Sequence, residues 1–492
     1  MFSSKSTAIH SGVDLATTLP PELWLHIFDC LPRRDVLQLS MVHRTLYAYV
    51  RPRLWQKLTG TKNDQIKALL RELAICSYIT DVAIKATIPA SRERSILRWR
   101  PALISDRSTN AALKVLSRLK NIQTLSVSAW SSEEACPALT LYRGLWDHIL
   151  ADQLRCLHLK LGSSKILRTF SSSLRGSSIT FKNLDTLILQ LCACPGGNAK
   201  YHGDLKTITD TCRCSVRSVA VRLMFESVDP YSDIDPTQAP LKSLGTFPHL
   251  RHFDFATNAT RTVGGYTEFL TRHQSTLTCL QTTTPMEGLL PLIVFNAGRS
   301  FKPSWNIKTL NMTYEVREMS ISRWNPIPMT NFTWYARSLT TLILVITPAS
   351  TFPHRGLEHN EVKEIITHLD QPPNGVLLER LRLTVSRVSP QLIDLIASYL
   401  GKLHTLDLQY FILVQNKDAL PNDDDESGFF DEMKLRHYPN WNLQSIDMNT
   451  RYGPNLWRQS MPSMLLLASC IPAIRRYGPF DWSDAEVSPD SS

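Results

Sequence analysis

The chain has 492 residues, 43% of them hydrophobic and 20% charged, with a formal net charge of +10 and ten cysteines. That hydrophobic content excludes global disorder, and the length calls for several domains or one elongated array. No amino-terminal apolar run has the form of a signal peptide, and the most apolar windows, near Leu289–Phe295 and Met464–Ile474, fall short of the roughly 18 residues of a membrane helix. A soluble protein of the cytoplasm or nucleus, with reduced thiols and no disulfide framework, is expected.

Residues 1–18 are rich in Ser, Thr and Ala and read as a flexible tail. Pro20 and Pro21 then suit a first helical turn, where a missing N–H costs nothing. Glu22 lies where negative charge favours a helix start. Leu23, Ile27 and Leu31 form one apolar stripe at helical spacing. Pro32 stops that helix, and Asp35 is placed to cap the next, which carries Val36, Leu37, Leu39 and Val42. A third short helix holds Leu46, Tyr47 and Val50, with Pro52 just ahead of Leu54 and Trp55. Three helices this short are marginal alone. They carry more apolar surface than they can hide, and such a surplus belongs either to a partner or to the rest of the chain.

Leu19, Pro20, Glu22, Leu23, Ile27, Leu31, Asp35, Leu39, Val42, Arg44, Leu54 and Trp55 follow one another in an order and spacing that resemble the F-box. Two residues depart from that pattern: His43 stands where the family often has Cys, and Leu46 where it often has Trp. The resemblance implies binding to a Skp-type adaptor and, through it, to a cullin–RING ubiquitin ligase. It assigns Leu19, Pro20, Leu23, Ile27 and Val36 to the adaptor-facing side. The competing reading of the same residues is a three-helix cap packed on the rest of the chain.

The F-box is expected over 19–58, followed by a linking helix over 59–78. From residue 79 to 480 one pattern recurs: apolar, two mostly polar, apolar, one variable, apolar. Its clear copies begin at Ile122, Leu154, Leu184, Val216, Leu250, Leu277, Ile307, Leu339, Leu378, Leu403 and Leu443, with weaker outliers at Ile79 and Ile474. The copies start 25–40 residues apart, a period that argues for a solenoid. The closing apolar–variable–apolar alternation suits a short strand, and runs such as Leu113–Leu119 and Gln391–Leu400 suit helices between strands. Each unit leaves an apolar face that only its neighbours can cover. The array resembles leucine-rich repeats, without their usual Asn or Cys and with a longer period. The expected fold is therefore α/β: a three-helix F-box followed by an irregular leucine-rich-repeat-like solenoid of short parallel strands alternating with helices. An ordinary α/β domain with similar buried strands is the alternative.

Asp229–Pro240, Asn325–Met329 and the acidic Pro421–Ser427 read as loops, and residues 481–492 as an acidic disordered tail. The basic patch Arg92, Arg94, Arg98 and Arg100, with Trp99 inside it, has the composition of a nucleic-acid contact, but a solvated face is the commoner meaning. Cys192, Cys194, Cys212 and Cys214 form two Cys-x-Cys pairs; zinc usually takes a wider spacing within each pair, and no metal or cofactor is assigned. His359, Glu361 and His368 fit no common site. Asn258, Asn311 and Asn331 sit in glycosylation-type triplets. Phosphate-binding loops, zinc-protease motifs and nucleophile elbows are absent from the sequence. The expected protein is a non-catalytic substrate receptor of a ubiquitin ligase, its target unspecified, with a non-ligase F-box scaffold or protein-interaction solenoid as the alternative.

Overall fold

The computed structural model describes residues 19–55, 57–60, 78–86, 119, 121–129, 146, 152–162, 164–175, 179–193, 202–225, 240–258, 265–285, 306–315, 338–347, 356–370, 377–418, 425–450, 461–477 and 480–481. The expected amino-terminal tail, residues 61–77 of the expected linking helix, the Arg92–Arg100 patch, the loops at 229–239 and 325–329, and the tail beyond Asp481 lie outside them.

Three helices open the fold: α1 (Pro21–Cys30), α2 (Arg33–Val42) and α3 (Arg44–Trp55). The carbonyl of Pro20 accepts the N–H groups of Leu23 and Trp24 at 3.1 and 3.3 Å. Pro32 repeats the device for α2, accepting from Asp35 and Val36 at 2.9 and 3.1 Å. Asp35 therefore sits in the first turn of α2 instead of capping it. His43 joins α2 to α3: its Nδ1 accepts the Thr45 N–H at 3.2 Å, and its carbonyl accepts the Tyr47 N–H at 3.0 Å. The small core of this module is Phe28, Val36, Leu46 and Val50, flanked by Trp24, Leu31, Leu39 and Tyr49.

Beyond α3 runs one sheet whose strands lie side by side in chain order. They are β1 (Lys57–Gly60), β2 (Asp81–Ala86), β3 (Thr124–Ala129), β4 (Cys156–Leu161), β5 (Thr186–Ala193), β6 (Ser218–Phe225), β7 (His252–Thr257), β8 (Cys279–Pro285), β9 (Thr309–Glu315), β10 (Thr341–Thr347), β11 (Arg380–Val388), β12 (Thr405–Leu413), β13 (Ser445–Thr450), β14 (Arg476–Tyr477) and β15 (Phe480–Asp481). Neighbours from β1 to β14 pair parallel, and β15 returns antiparallel to β14. Helices α4 (Ser164–Arg175), α5 (His202–Cys212), α6 (Pro240–Ser243), α7 (Tyr266–Arg272), α8 (His359–Asp370), α9 (Pro390–Tyr399), α10 (Glu426–Met433) and α11 (Met461–Cys470) lie between strands. This is a leucine-rich-repeat-like solenoid of parallel strands alternating with helices.

Every copy of the sequence motif, including the outliers at Ile79 and Ile474, begins a strand at its third residue. The register follows the motif: Thr124 faces Cys156, Cys156 faces Thr186, and Thr186 faces Ser218. The first, fourth and sixth motif residues point into a continuous core, as Leu154, Leu157 and Leu159 do in β4. Where the sixth residue is polar it is satisfied locally: Thr282 shares a 2.9 Å hydrogen bond with the buried Tyr266 hydroxyl. The missing asparagine ladder is replaced by the backbone. The carbonyl of the second motif residue accepts two N–H groups from the next unit; Arg155 accepts from Asp185 and Thr186 at 2.8 and 2.9 Å, and Arg217 from Arg251 and His252 at 2.8 and 3.0 Å. The same pairing recurs from Thr80 to Gln444.

The sheet reaches further forward than the repeat pattern implied. Lys57–Gly60, spanning the expected end of the F-box and the start of the linking helix, is strand β1, in register with Asp81–Ile84. Asp425, expected in a solvated acidic loop, instead accepts the Gly428 N–H at 2.9 Å and starts α10.

Candidate functional site

On the first three helices, burial separates two faces. Trp24 and Phe28 stack with ring centroids 5.7 Å apart, and Phe28 enters the core. The opposite side of α1 leaves Leu23 48% and Ile27 38% exposed. Helix α2 adds Leu37, and at its end Met41 and Val42 stand 82% and 76% exposed. Of the five residues assigned to an adaptor-facing side, Pro20, Leu23 and Ile27 are exposed and Leu19 is half-buried. Val36 is not on that surface. It packs against Phe28, Leu46 and Val50 in the module's own core, because one position further along α2 turns a side chain by about 100°. Leu25, Leu37, Met41 and Val42 are the exposed apolar residues that helical periodicity did not single out. On α1 the apolar residues cover most of the circumference, and on α2 Leu37 and Val42 read as apolar content without a side, so neither helix ranks them.

The sheet offers a second surface. The third and fifth motif residues, and the one two further on, are half-exposed, alternating with the core positions. Arg382, Asp407 and Asp447 lie in one register row across β11–β13, with Arg382 Nε 3.0 Å from Asp407 Oδ2. Burial pushes the Asp407 carboxyl up to about 6; Arg382 opposes that shift and Asp447 adds to it. Further forward the same face carries His158, Lys160, Arg222 and Asp254. Burial holds the His158 imidazole below its ordinary range, and the cations Lys160 and Arg222 push it the same way. Arg222 lies 4.0 Å from Asp254, whose carboxyl is raised by burial and lowered by that arginine.

At the edge where β4–β9 begin, second-position motif residues border a groove of about 1010 Å³. Its lining includes Arg155, Lys182, Arg217 and Arg251, with Asp185 as its one carboxylate. Each lies in an exposed position.

Among the described residues the remaining candidates do not assemble into a site. Cys212 is buried at the end of α5, and burial raises its thiol far above the ordinary range, which disfavours the thiolate a metal needs. Cys214 is exposed, and Cys194 lies outside the described residues. Among the described residues no three potential metal ligands gather, and no helix is long and apolar enough to cross a membrane. Glu361 turns back to accept the Glu358 N–H at 2.8 Å at the start of α8. Asn311 sits half-buried within β9, its side-chain carbonyl oxygen out of contact with water.

The short proline-started helices, their small core and their exposed apolar side fall within a segment, residues 16–60, that matches the F-box-like family model. Residues 16–60 form an F-box-like domain. No curated protein matches the chain. Among solved structures it is similar to a chain in the crystal structure of a TLR13–ssRNA13 complex, at 12% identity and a TM-score of 0.28, over 86% of this chain and 64% of that one. This chain thus spans less than two thirds of that neighbour's length.

Proposed function

We propose that this protein is a non-catalytic substrate receptor of a Skp–cullin–F-box ubiquitin ligase, working in the cytoplasm or nucleus. The F-box-like domain docks on a Skp-type adaptor, which links it to the cullin, while the repeat array holds a target protein. Ubiquitin transfer is carried out by other subunits. The receptor contributes proximity, converting a bimolecular encounter into one within a single assembly.

The observation that carries this reading is the exposed apolar side of α1 and α2, formed by Leu23, Ile27, Leu37, Met41 and Val42. A module with a four-residue core of its own leaves that much apolar surface in water only when a partner covers it. The repeat array supports the second half of the reading: side chains from many units are displayed side by side on one continuous sheet, as solenoid binding surfaces are.

Co-purification of the full chain from cells tests the proposal. Recovery of adaptor together with cullin supports the ligase receptor. Recovery of adaptor alone favours a scaffold without a ligase, and recovery of neither refutes adaptor docking.

A further inference from the structure

Resting on the reading of the array as the target-binding part, we propose that the groove at the starting edge of β4–β9 binds an extended acidic segment of a protein partner, with carboxylates or phosphates about three residues apart. The first ground is charge. Arg155, Lys182, Arg217 and Arg251 face one carboxylate, Asp185. Asp185 lies 3.8 Å from Arg217, and Lys182 lies 3.7 Å from Asp152. Arg155 and Arg251 have no acidic partner among the described residues. The groove therefore keeps a positive surplus: at the same motif position Gln123 precedes it, and Thr278, Lys308, Thr340 and Glu379 follow Arg251.

The second ground is spacing. Arg155, Asp185, Arg217 and Arg251 occupy the same motif position in successive units, immediately before β4, β5, β6 and β7. Parallel strands lie about 4.8 Å apart, so Arg155 and Arg217 are separated by about 10 Å. A peptide extended as a polyproline II helix rises about 3.1 Å per residue with three residues per turn, so side chains three apart share one face at about that same distance. The backbone under this row is fixed, because the carbonyls of Arg155, Arg217 and Arg251 each accept two N–H groups from the next unit. Guanidinium groups bind carboxylate and phosphate oxygens in pairs, which favours such anions over a diffuse counter-ion cloud.

The third ground separates a peptide from a nucleic acid. The groove lining contains no Trp, Tyr or Phe and one His, His249, so it is poor in the stacking platforms that single strands use. Asp185 in the middle of the row also repels a continuous phosphate backbone.

The test is fluorescence anisotropy with the full chain. The probes are a labelled ten-residue peptide with Glu at every third position, the same peptide with phosphoserine at those positions, a Lys counterpart, and an oligouridylate of equal charge. Both acidic peptides are expected to bind saturably, and raising salt from about 50 to about 300 mM should weaken them severalfold. The double variant Arg155→Glu/Arg251→Glu should weaken them at least tenfold without changing the melting temperature. Arg380→Glu, an exposed reversal on β11 outside the groove, should leave binding unchanged. Absence of peptide binding, equal loss with Arg380→Glu, or tighter binding of the oligouridylate would overturn the proposal. A preference for phosphoserine over Glu identifies the anion. Adaptor binding, measured on the same preparations, reads the F-box separately. Adaptor binding without peptide binding refutes the groove alone, and peptide binding without adaptor binding refutes the receptor reading alone.

Discussion

Replacing Leu23 and Ile27 together with Asp probes the exposed side of α1 directly. Full burial of such a side chain contributes about 1.5–3 kcal/mol. With Leu23 48% and Ile27 38% exposed, about 1 kcal/mol remains at each position for a partner to gain. A carboxylate placed there and covered without a partner costs about 2 kcal/mol more at each position. Together these give about 6 kcal/mol, or about four decades in adaptor affinity at 1.4 kcal/mol per decade. The part of each side chain already buried against the module contributes about 1 kcal/mol as well, so the double variant should lower the module's own stability by about 2 kcal/mol, far less than the loss in adaptor affinity. Val36→Asp makes the opposite case. It inserts an unpaired charge into a core of four residues, so the module should unfold and lose binding only as a consequence. Titration calorimetry with purified adaptor gives the affinities, and far-UV circular dichroism melts give the folding. A folded double variant that binds within tenfold of the unsubstituted protein would show that α1 does not face the adaptor.

Other consequences are testable by similar means. Gly265 holds φ at +82°, and a Cβ there would meet the Lys242 backbone nitrogen at 2.8 Å; Gly265→Ala should cost about 1–3 kcal/mol and lower the melting temperature. Asp407 is pushed up to about 6 in the folded chain, so the native state holds its proton more tightly than the unfolded state does. Stability from this group is therefore full below about pH 4 and is lost as pH rises through 6. Asp407→Asn should raise stability at pH 8 by about 1 kcal/mol, after discounting for its partial contact with water, and by nothing near pH 4; paired melts at the two pH values check it. Inserting about ten Gly/Ser residues after Trp55 should leave adaptor and target affinities unchanged but slow ubiquitin transfer in a reconstituted assay, since only positional order is lost.

The repeat was legible because three apolar positions per unit all serve one core, so each strand carries its own signature. Strand β1 escaped notice because its unit reads Trp55-Gln-Lys-Leu58-Thr-Gly60, with Gly where the closing apolar residue belongs. The expected cap at Asp35 failed for a related reason. Pro32 already closes the first turn of α2 through its carbonyl, and the acidic side chain is left to favour the helix start by charge alone. Val36 was misplaced because periodicity shows that a helix has an apolar side, not which neighbour covers it. On α1 the residues Leu23, Trp24, Leu25, Ile27 and Phe28 surround most of the axis, and only the stacking of Trp24 on Phe28 decides which side is inward. The amino-edge groove was not readable at all. Its cations are single exposed residues about thirty apart in the chain, and they become neighbours only through the parallel register.

The join between the two parts limits how the protein can work. Helix α3 ends at Trp55 and β1 begins at Lys57, so the segment that closes the F-box also supplies the first strand of the array. A ten-residue flexible linker would let its ends wander by about 15–20 Å; a single residue gives no such slack. The four residues of β1 are all engaged with β2, and a short edge strand of this kind resists pairing with foreign chains. On the proposed function, distance from the adaptor is then set by counting strands rather than by stretching a tether. With about 4.8 Å per strand, the row from β4 to β9 begins about 15 Å and ends about 40 Å along the sheet from β1. A target held there, as proposed, would be presented at a fixed distance from the amino-terminal helices. Insertions and deletions between strands change loops without changing that distance, whereas loss of one whole unit shortens it by one strand spacing. The irregular period of the repeat is therefore compatible with a regular ruler, because the ruler is the sheet.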